Sequence, residues 1–270
     1  MVLCATVVCP TPFCRSAGIH RAHVFKIVGR VVRRAYNGGM NRSALLMPVA
    51  AAAGFGAWGA FHPKSQLFGP VVSSAGKACA LTFDDGPNPL ITPRLLALLE
   101  EYDVRATFFL LGKHVDQHPD LAAEIAAQKH TNGNHPYGHP NTLWFSRGRI
   151  ADELRRCEDA ISRATGRGSI CVRPPFGFRG PQFHSAVRET GLSKVVMWSV
   201  SARDWTPQPW QDVRDRVRKV RPGDIVLFHD GDHRSVNADR NHTLRALEFW
   251  LPRWKDSGLQ FTAALADPPC

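Results

Sequence analysis

The most constraining feature of the sequence is an apolar run over 78–83 that ends in two adjacent carboxylates and a Gly-Pro pair, TFDDGP at 82–87. A short apolar run bounded by a turn signal predicts a buried strand. An Asp-Asp-Gly-Pro segment alone is also compatible with an ordinary turn. Because neighbouring strand residues point to opposite faces, we expect Asp84 and Asp85 to have different roles unless the strand bends there.

Apolar runs alternate with helical patterns from residue 77 onward, which is typical of βα units around a parallel sheet. The predicted strands lie over 78–83, 106–111, 170–172, 194–198, 224–228 and 259–262, and the predicted helices over 93–102, 119–128, 149–165, 182–189, 210–220 and 243–254. We therefore predict an α/β fold, a barrel of parallel strands with its site at their carboxyl ends. A doubly wound open sheet is the second candidate, but no GxGxxG follows a predicted strand.

The positive charge of the chain is concentrated before the first predicted strand. Residues 1–83 contain nine Lys and Arg and no Asp or Glu, whereas the remainder contains 25 basic and 23 acidic residues. A nearly neutral body argues against nucleic acid as a partner. Residues 1–39 show no sustained periodicity, so we expect them to be disordered or outside a functional chain that begins at or near Met40.

Residues 44–61 carry no charge and lie between Arg42 and Lys64. This length predicts a membrane span or a signal anchor, and a buried core helix is the alternative. Residues 62–77 are rich in Pro, Ser and Gly and predict a linker, which leaves 78–265 as the main folded domain. The order of these segments predicts a domain outside the cytoplasm, membrane-anchored through 44–61 or secreted.

Two histidines, His135 and His139, are four residues apart in the segment HPYGH. This spacing would place both imidazoles on one side of a single helical turn. Together with Asp85 they make a set of two histidines and one carboxylate, which leaves a position open on a bound metal ion. An open position is typical of catalytic metal sites.

Three further polar residues follow predicted strands. Arg173 precedes a stiff Pro-Pro turn, and an arginine can pair with an acid without losing its charge. Asp204 is followed by Trp205; a tryptophan is most often part of the core, but an Asp-Trp pair just past a strand is also found in sugar-binding sites. His229 ends a wholly apolar strand and is the best candidate for a general acid.

Taken together, these segments resemble the five ordered motifs of the polysaccharide deacetylases, carbohydrate esterase family four. The segments are TFDDGP at 82–87, HPYGHP at 135–140, RPPFG at 173–177, DW at 204–205 and LFHD at 227–230. The resemblance covers about residues 78–265 and implies an irregular (β/α) barrel. It also implies metal-dependent removal of N- or O-acetyl groups from a sugar polymer such as peptidoglycan, a chitin oligomer or an exopolysaccharide.

The resemblance assigns each residue a role. Asp84 would be the general base, oriented by Arg173, while His229, positioned by Asp204, would protonate the leaving amine. A divalent metal ion, usually zinc, would be held by Asp85, His135 and His139. The substrate-binding residues would be Pro174, Phe176, Trp205 and Leu227, of which the last two would line the acetyl pocket.

The sequence departs from the family pattern at four positions. Members usually carry Ser or Thr at the position of Pro136, Gly at Lys129 and an apolar residue at Asn132, and many carry Asp at Ser201. Two other functions therefore stay open. One is a noncatalytic or vestigial carbohydrate-binding barrel with a weakened metal site, and the other is an amidase that acts on a small non-sugar substrate.

Overall fold

The computed structural model describes residues 42–263, so the predictions for residues 1–39 and for Met40 lie outside the described part. Helix α1 (Arg42–Phe61) comes first. Within the described residues, no helix combines the length and the apolar character that a membrane crossing requires. The predicted anchor over 44–61 is therefore not supported.

In the part of the chain that the structure describes, seven strands and seven further helices follow α1. The strands are β1 (Ala80–Gly86), β2 (Thr107–Leu110), β3 (Thr131–Asn134), β4 (Cys171–Val172), β5 (Lys194–Val195), β6 (Val200–Ser201) and β7 (Ile225–His229). The helices are α2 (Thr92–Glu101), α3 (Gly112–Gln117), α4 (Pro119–Ala127), α5 (Arg147–Thr165), α6 (Pro181–Glu189), α7 (Trp210–Arg216) and α8 (Asn241–Asp256). Two short 3₁₀ helices cover Thr142–Trp144 and Pro175–Gly177.

The strands form one sheet in the order β5-β4-β3-β2-β1-β7-β6, and every neighbouring pair is parallel. Strands β5 and β6 lie at opposite ends of this order, although only residues 196–199 separate them. That connection reaches at most about 18 Å, whereas a flat sheet would place its end strands about 29 Å apart. The sheet must therefore curl. Since β5 and β6 do not pair in the described structure, it forms a curled half-barrel and not a closed barrel.

Side-chain alternation on β1 separates the core from the site. Phe83 stacks on Phe108 of β2 and Phe228 of β7, with ring centroids 5.1 and 5.8 Å apart, in the core beneath the helices. Thr82 and Asp84 point to the opposite face, where Arg173 contacts both. The same alternation that buries the aromatic rings therefore directs Asp84 into the interior of the curled sheet.

One predicted strand was wrong, and two observed strands were not predicted. The predicted strand over 259–262 forms only an isolated bridge between Phe261 and Cys79. Strand β3, with the polar sequence TNGN, was not predicted, and neither was β6. The strand propensity of β3 is low, but its position between β2 and β4 provides backbone partners on both sides.

Candidate active site

A β-bulge at the end of β1 brings two carboxylates to one centre. The pairing of β1 with β2 shifts between Asp84 and Gly86, and the extra residue, Asp85, has φ +71°. The bulge turns Asp85 toward the side that Asp84 faces. Asp84 Oδ2 and Asp85 Oδ1 lie 3.9 and 3.5 Å from His135 Nε2. Strict alternation therefore ends at Asp84, where the strand bends.

Asp85, His135 and His139 form a buried cluster whose potential ligand atoms all lie within 4.8 Å of one another. His139 Nε2 is 3.3 Å from Asp85 Oδ1. His135 Nδ1 donates a hydrogen bond to the carbonyl oxygen of Arg173 at 2.8 Å, which leaves Nε2 free to bind an ion. The structure thus brings together the three residues that the sequence predicted as metal ligands.

The electrostatics of this cluster suit a divalent cation. Burial lowers the pKa of His139 to about 3, so its imidazole is neutral. Burial opposes ionisation of Asp85, but the nearby His135 and His233 hold the pKa of its carboxyl well below the usual range. Asp85 Oδ1 is buried and accepts no hydrogen bond among the described residues. A carboxylate with neutral imidazoles is the protonation state that a zinc site requires.

The two histidines are not brought together by a helical turn, so that part of the prediction was wrong. Residues 135–140 form a bent loop after β3, and His139 has φ +60°. Each histidine precedes a proline, Pro136 or Pro140, and the residue before a proline is disfavoured in the α conformation. The ring centroids still lie 5.0 Å apart.

Asp84 is held by a fully buried arginine. Arg173 Nη1 donates to Asp84 Oδ1 at 2.7 Å and to Thr82 Oγ1 at 2.8 Å, while Nε donates to the carbonyl oxygen of Val196 at 3.2 Å. The guanidinium lies 4.1 Å from the ring centroid of Phe109. One oxygen of Asp84 is thus fixed by Arg173, and the other faces His135.

His229 and Asp204 form a second buried pair. His229 ends β7 directly beside Asp84 on β1. Its Nδ1 lies 2.9 Å from Asp204 Oδ1, and its backbone N–H donates to Asp204 Oδ2 at 2.9 Å. Thr243 Oγ1 also donates to Asp204, at 2.7 Å. Burial opposes protonation of His229, but Asp204 raises the pKa of the imidazole to about 9, so it carries a proton at neutral pH.

The four predicted substrate-binding residues divide into two exposed rings and two buried side chains. Phe176 is 48% exposed and its ring centroid lies 4.5 Å from that of His139. Trp205 is 46% exposed and lies 6.0 Å from His229. Pro174 is buried just before the 3₁₀ helix Pro175–Gly177, and Leu227 is buried on β7. The exposed rings suit stacking on a sugar, whereas the buried pair shapes the site from below.

His233 contributes to the site but was not predicted. Its ring stacks on His139 with centroids 4.3 Å apart, and its Nδ1 lies 3.8 Å from Asp85 Oδ2. The carbonyl oxygen of His233 accepts a hydrogen bond from Lys113 Nζ. The only sequence signal was its position four residues after His229, which strand periodicity does not link to the metal cluster.

Asp230 is the last residue of the motif LFHD, and the sequence predicts no role for it. It is fully buried, and burial raises the pKa of its carboxyl to about 7. Its Oδ2 accepts a hydrogen bond from Thr92 at 2.5 Å. A Cβ at Gly86 would collide with this carboxyl, and a Cβ at Gly231 would collide with the carbonyl oxygen of Asp85. Both glycines thus permit β1 and β7 to approach closely beneath the site.

Comparisons with known proteins agree with this geometry. The family model for polysaccharide deacetylase matches residues 72–195. The chain is 36% identical over 185 residues to a chitooligosaccharide deacetylase of Sinorhizobium fredii, a match that covers 66% of this chain and 86% of that protein. It is 33% identical over 187 residues to a peptidoglycan-N-acetylglucosamine deacetylase of Bacillus cereus, with coverages of 68% and 85%.

Solved structures of the same family superpose on this chain. The Bc1960 peptidoglycan N-acetylglucosamine deacetylase has a TM-score of 0.64 and 29% identity, and the match covers 71% of this chain and 89% of that one. A Bacillus anthracis protein described as a pseudoenzyme of carbohydrate esterase family four has a TM-score of 0.62 and 29% identity, with coverages of 70% and 64%. The motifs, the site and these similarities together show that the chain belongs to the polysaccharide deacetylase family, carbohydrate esterase family four.

Proposed function

We propose that this protein hydrolyses the acetamide of N-acetylglucosamine units in a chitooligosaccharide or in peptidoglycan, with the help of a divalent metal ion. The names of its relatives support the substrate class. The observation that carries the proposal is the geometry of the site. A buried cluster, in which one carboxylate oxygen has no hydrogen-bond partner among the described residues, lies between an acid fixed by Arg173 and a protonated histidine fixed by Asp204.

Asp84 is suited to be the general base. Arg173 fixes one carboxylate oxygen, so the other has a defined direction toward the cluster of Asp85, His135 and His139. A base with a defined direction can accept the proton of an attacking water without first reorganising. When bound at this cluster, a zinc ion would polarise the acetyl carbonyl and lower the pKa of water toward ~7.

His229 is suited to be the general acid. An amine is a poor leaving group unless it is protonated, and His229 carries a proton at neutral pH because Asp204 stabilises the imidazolium. Its position next to Asp84 on the neighbouring strand places acid and base at one edge of the sheet. A dedicated proton donor favours N-deacetylation within the broader expectation of N- or O-deacetylation.

The two other functions are not favoured. One solved relative is described as a pseudoenzyme, so membership of the family does not by itself establish activity. In this chain, however, the residues proposed as base and acid, their buried partners and three residues that could hold a metal ion are all present. No feature of the site specifically favours a small non-sugar amide. A location outside the cytoplasm stays a prediction, which cell fractionation would test.

Acetate release tests the proposal. Purified protein loaded with zinc is incubated with chitopentaose, with peptidoglycan and with an O-acetylated xylan as the O-acetyl control. We expect acetate from the first two substrates, loss of activity with a chelator, and recovery after zinc is added back. Asp84→Asn is the matched inactive control. No acetate from any N-acetylated polymer, in protein that binds zinc, would contradict the proposed function.

A further inference from the structure

The start of helix α3 contacts the backbone of the segments that carry the candidate metal ligands. The N–H of Leu111, the residue before α3, donates to the carbonyl oxygen of Gly86 at 2.9 Å. The N–H of Lys113 donates at 3.2 Å to the carbonyl oxygen of Tyr137, which lies in the loop over 135–140. None of the roles proposed for deacetylation belongs to a residue of α3, so the reason for these contacts is open.

His114 of α3 contacts the backbone of a candidate metal ligand directly. Its side chain is buried, and its Nδ1 lies 3.0 Å from the carbonyl oxygen of Asp85. A carbonyl oxygen can only accept a hydrogen bond, so Nδ1 carries the proton and donates it. Gly231, which follows β7, also packs against this carbonyl group, because a Cβ there would collide with the oxygen. The carbonyl group of Asp85 is therefore held between α3 and the segment after β7.

Asp85 has a backbone conformation that needs such support. It is the extra residue of the β-bulge, and its φ of +71° lies in the left-handed region, which L residues rarely adopt. In this conformation its Oδ1 lies 3.5 Å from His135 Nε2 and 3.3 Å from His139 Nε2. Residues in sparsely populated backbone regions persist only where the surrounding structure fixes them. The contact from His114 is positioned to supply that restraint.

The carbonyl groups on either side of Asp85 are held differently. The N–H of Gly231 donates to the carbonyl oxygen of Asp84 at 3.3 Å, and the N–H of Leu111 donates to that of Gly86. Both donors belong to the backbone, whereas the donor to Asp85 is the imidazole of His114. A single substitution can therefore remove the restraint on Asp85 and leave the two neighbouring backbone contacts in place.

The backbone that carries His114 is itself firmly placed. Its N–H donates to the carbonyl oxygen of Leu111 at 2.9 Å, and its carbonyl oxygen accepts the N–H of His118 at 2.9 Å. Two residues earlier, Gly112 packs against α5 so closely that a Cβ there would lie 2.8 Å from the Cα of Cys157. Because α3 is fixed by these contacts, His114 can restrict the conformation of Asp85 and does not simply follow it.

We propose that His114 is a positioning residue of the metal cluster: its Nδ1–H holds the carbonyl group of Asp85 and so aims the Asp85 carboxylate at His135 and His139. The inference rests on the proposed metal-dependent function, because the direction of that carboxylate matters for an ion bound there. His114 bonds the backbone of Asp85 and not its carboxylate, so it acts on the ion through Asp85. Groups that orient metal ligands from outside the cluster typically change metal affinity by ~10–100-fold.

Zinc affinity of the full chain, measured by competition with a chromogenic chelator, tests this role. His114→Leu removes the donor, so zinc should bind ~10–100-fold more weakly. His114→Asn places an amide N–H close to the position of Nδ1 and should restore most of the affinity. His114→Gln carries the same amide one methylene farther from the backbone and should not restore it. A residue that only filled space would give no such difference between the two amides.

His130→Leu is the matched control for the loss of a buried histidine. His130 is as buried as His114, and its Nδ1 also bonds a backbone group, the N–H of Ala106 at 3.1 Å. It precedes β3, whereas His135 of the cluster follows that strand. We therefore expect His130→Leu to lower the stability of the fold, measured by urea denaturation, and to leave zinc affinity unchanged.

The outcomes separate this inference from the proposed function. Unchanged zinc affinity in folded His114→Leu protein would overturn the role of His114 and leave the proposed function standing. If His114→Leu does not fold by circular dichroism, the Asn and Gln variants decide, and equal zinc affinity in these two would overturn the role. Absence of zinc binding by the wild-type protein would overturn both the inference and the metal-dependent function.

Discussion

Two acids of the active site, Asp84 and Asp204, each form an ion pair within the protein, whereas a third acid, Asp85, has a buried oxygen without a hydrogen-bond partner among the described residues. Asp84 has Arg173 at 2.7 Å, and Asp204 has His229 at 2.9 Å, so each acid faces a cation of the protein. Asp85 instead faces imidazoles, and the low pKa of His139 keeps at least that ring neutral. Its Oδ1 accepts no hydrogen bond among the described residues.

This difference separates the two pairs that the fold holds by itself from the Asp85 cluster, which a metal ion would complete in the proposed function. A buried ion pair with its hydrogen bonds satisfied keeps its geometry without a ligand. A buried carboxylate without a cation is unfavourable, and a metal ion can relieve that cost. We therefore expect the acid and the base to be prearranged, while the cluster of Asp85, His135 and His139 depends on the metal.

The largest effect, on the stability of the fold, should come from breaking the ion pair between Arg173 and Asp84. Arg173→Met removes the cation beside Asp84 and leaves a buried charge unpaired, which typically lowers the free energy of unfolding by about 3–5 kcal/mol. Urea denaturation followed by circular dichroism measures this loss. Arg173→Lys is the matched control, because it keeps the charge but loses the planar fork, and its loss should be smaller. A decrease below about 1 kcal/mol in Arg173→Met would contradict a closed pair.

A smaller, pH-dependent effect on the rate is expected from breaking the pair of His229 and Asp204. In the proposed function His229 donates a proton, so the rate should fall as pH rises through the pKa of His229, which Asp204 raises to about 9. Asp204→Asn removes that carboxylate, so the alkaline limb of kcat/KM should move to lower pH. The rate at neutral pH should fall by about 10²-fold.

Asp215→Asn serves as the matched control for this shift. Asp215 is a surface acid that pairs with Arg214, and its loss should leave the pH profile unchanged. If Asp204→Asn and the wild-type protein share one alkaline limb, then Asp204 does not set the protonation of His229.

The smallest effect, on zinc affinity, concerns the cluster of Asp85, His135 and His139 and the departure from the family pattern at Pro136. His139 Nδ1 is buried and has no partner among the described residues. Pro136→Thr would place a hydroxyl in the same loop, so we expect zinc affinity to rise about tenfold, as partners of metal ligands typically produce. Pro136→Val, which lacks the hydroxyl, should not tighten binding. Weaker zinc binding in Pro136→Thr would show that the rigid proline shapes the turn for the ion.

Much of the site could be predicted because parallel strands end at one edge of the sheet. Asp84, Arg173 and His229 each end or follow an apolar run, and the structure brings them within contact of a common centre. The residue types of the neighbouring cluster also limited the possible chemistry. Two histidines and a carboxylate, His135, His139 and Asp85, are typical of a metal site with an open position. The order and spacing of the five motifs indicated the family to which the chain belongs.

Other parts of the site depend on tertiary contacts that no local pattern records. The bulge at Asp85 is defined only by its pairing with β2, and His233 reaches the cluster through the loop that follows β7. Strand β3 is too polar to be predicted from its own residues. The incomplete closure of the sheet follows from β5 and β6 failing to pair, which the strand count could not reveal.

The most direct test of the account compares two adjacent acids. Asp84→Asn and Asp85→Asn are purified in parallel, and zinc content, acetate release and circular dichroism are measured on the same samples. We expect folded Asp84→Asn protein that retains zinc but releases no acetate, and folded Asp85→Asn protein that has lost zinc. Equal loss of zinc in both variants would contradict the division between a base held by the protein and a cluster completed by a metal ion.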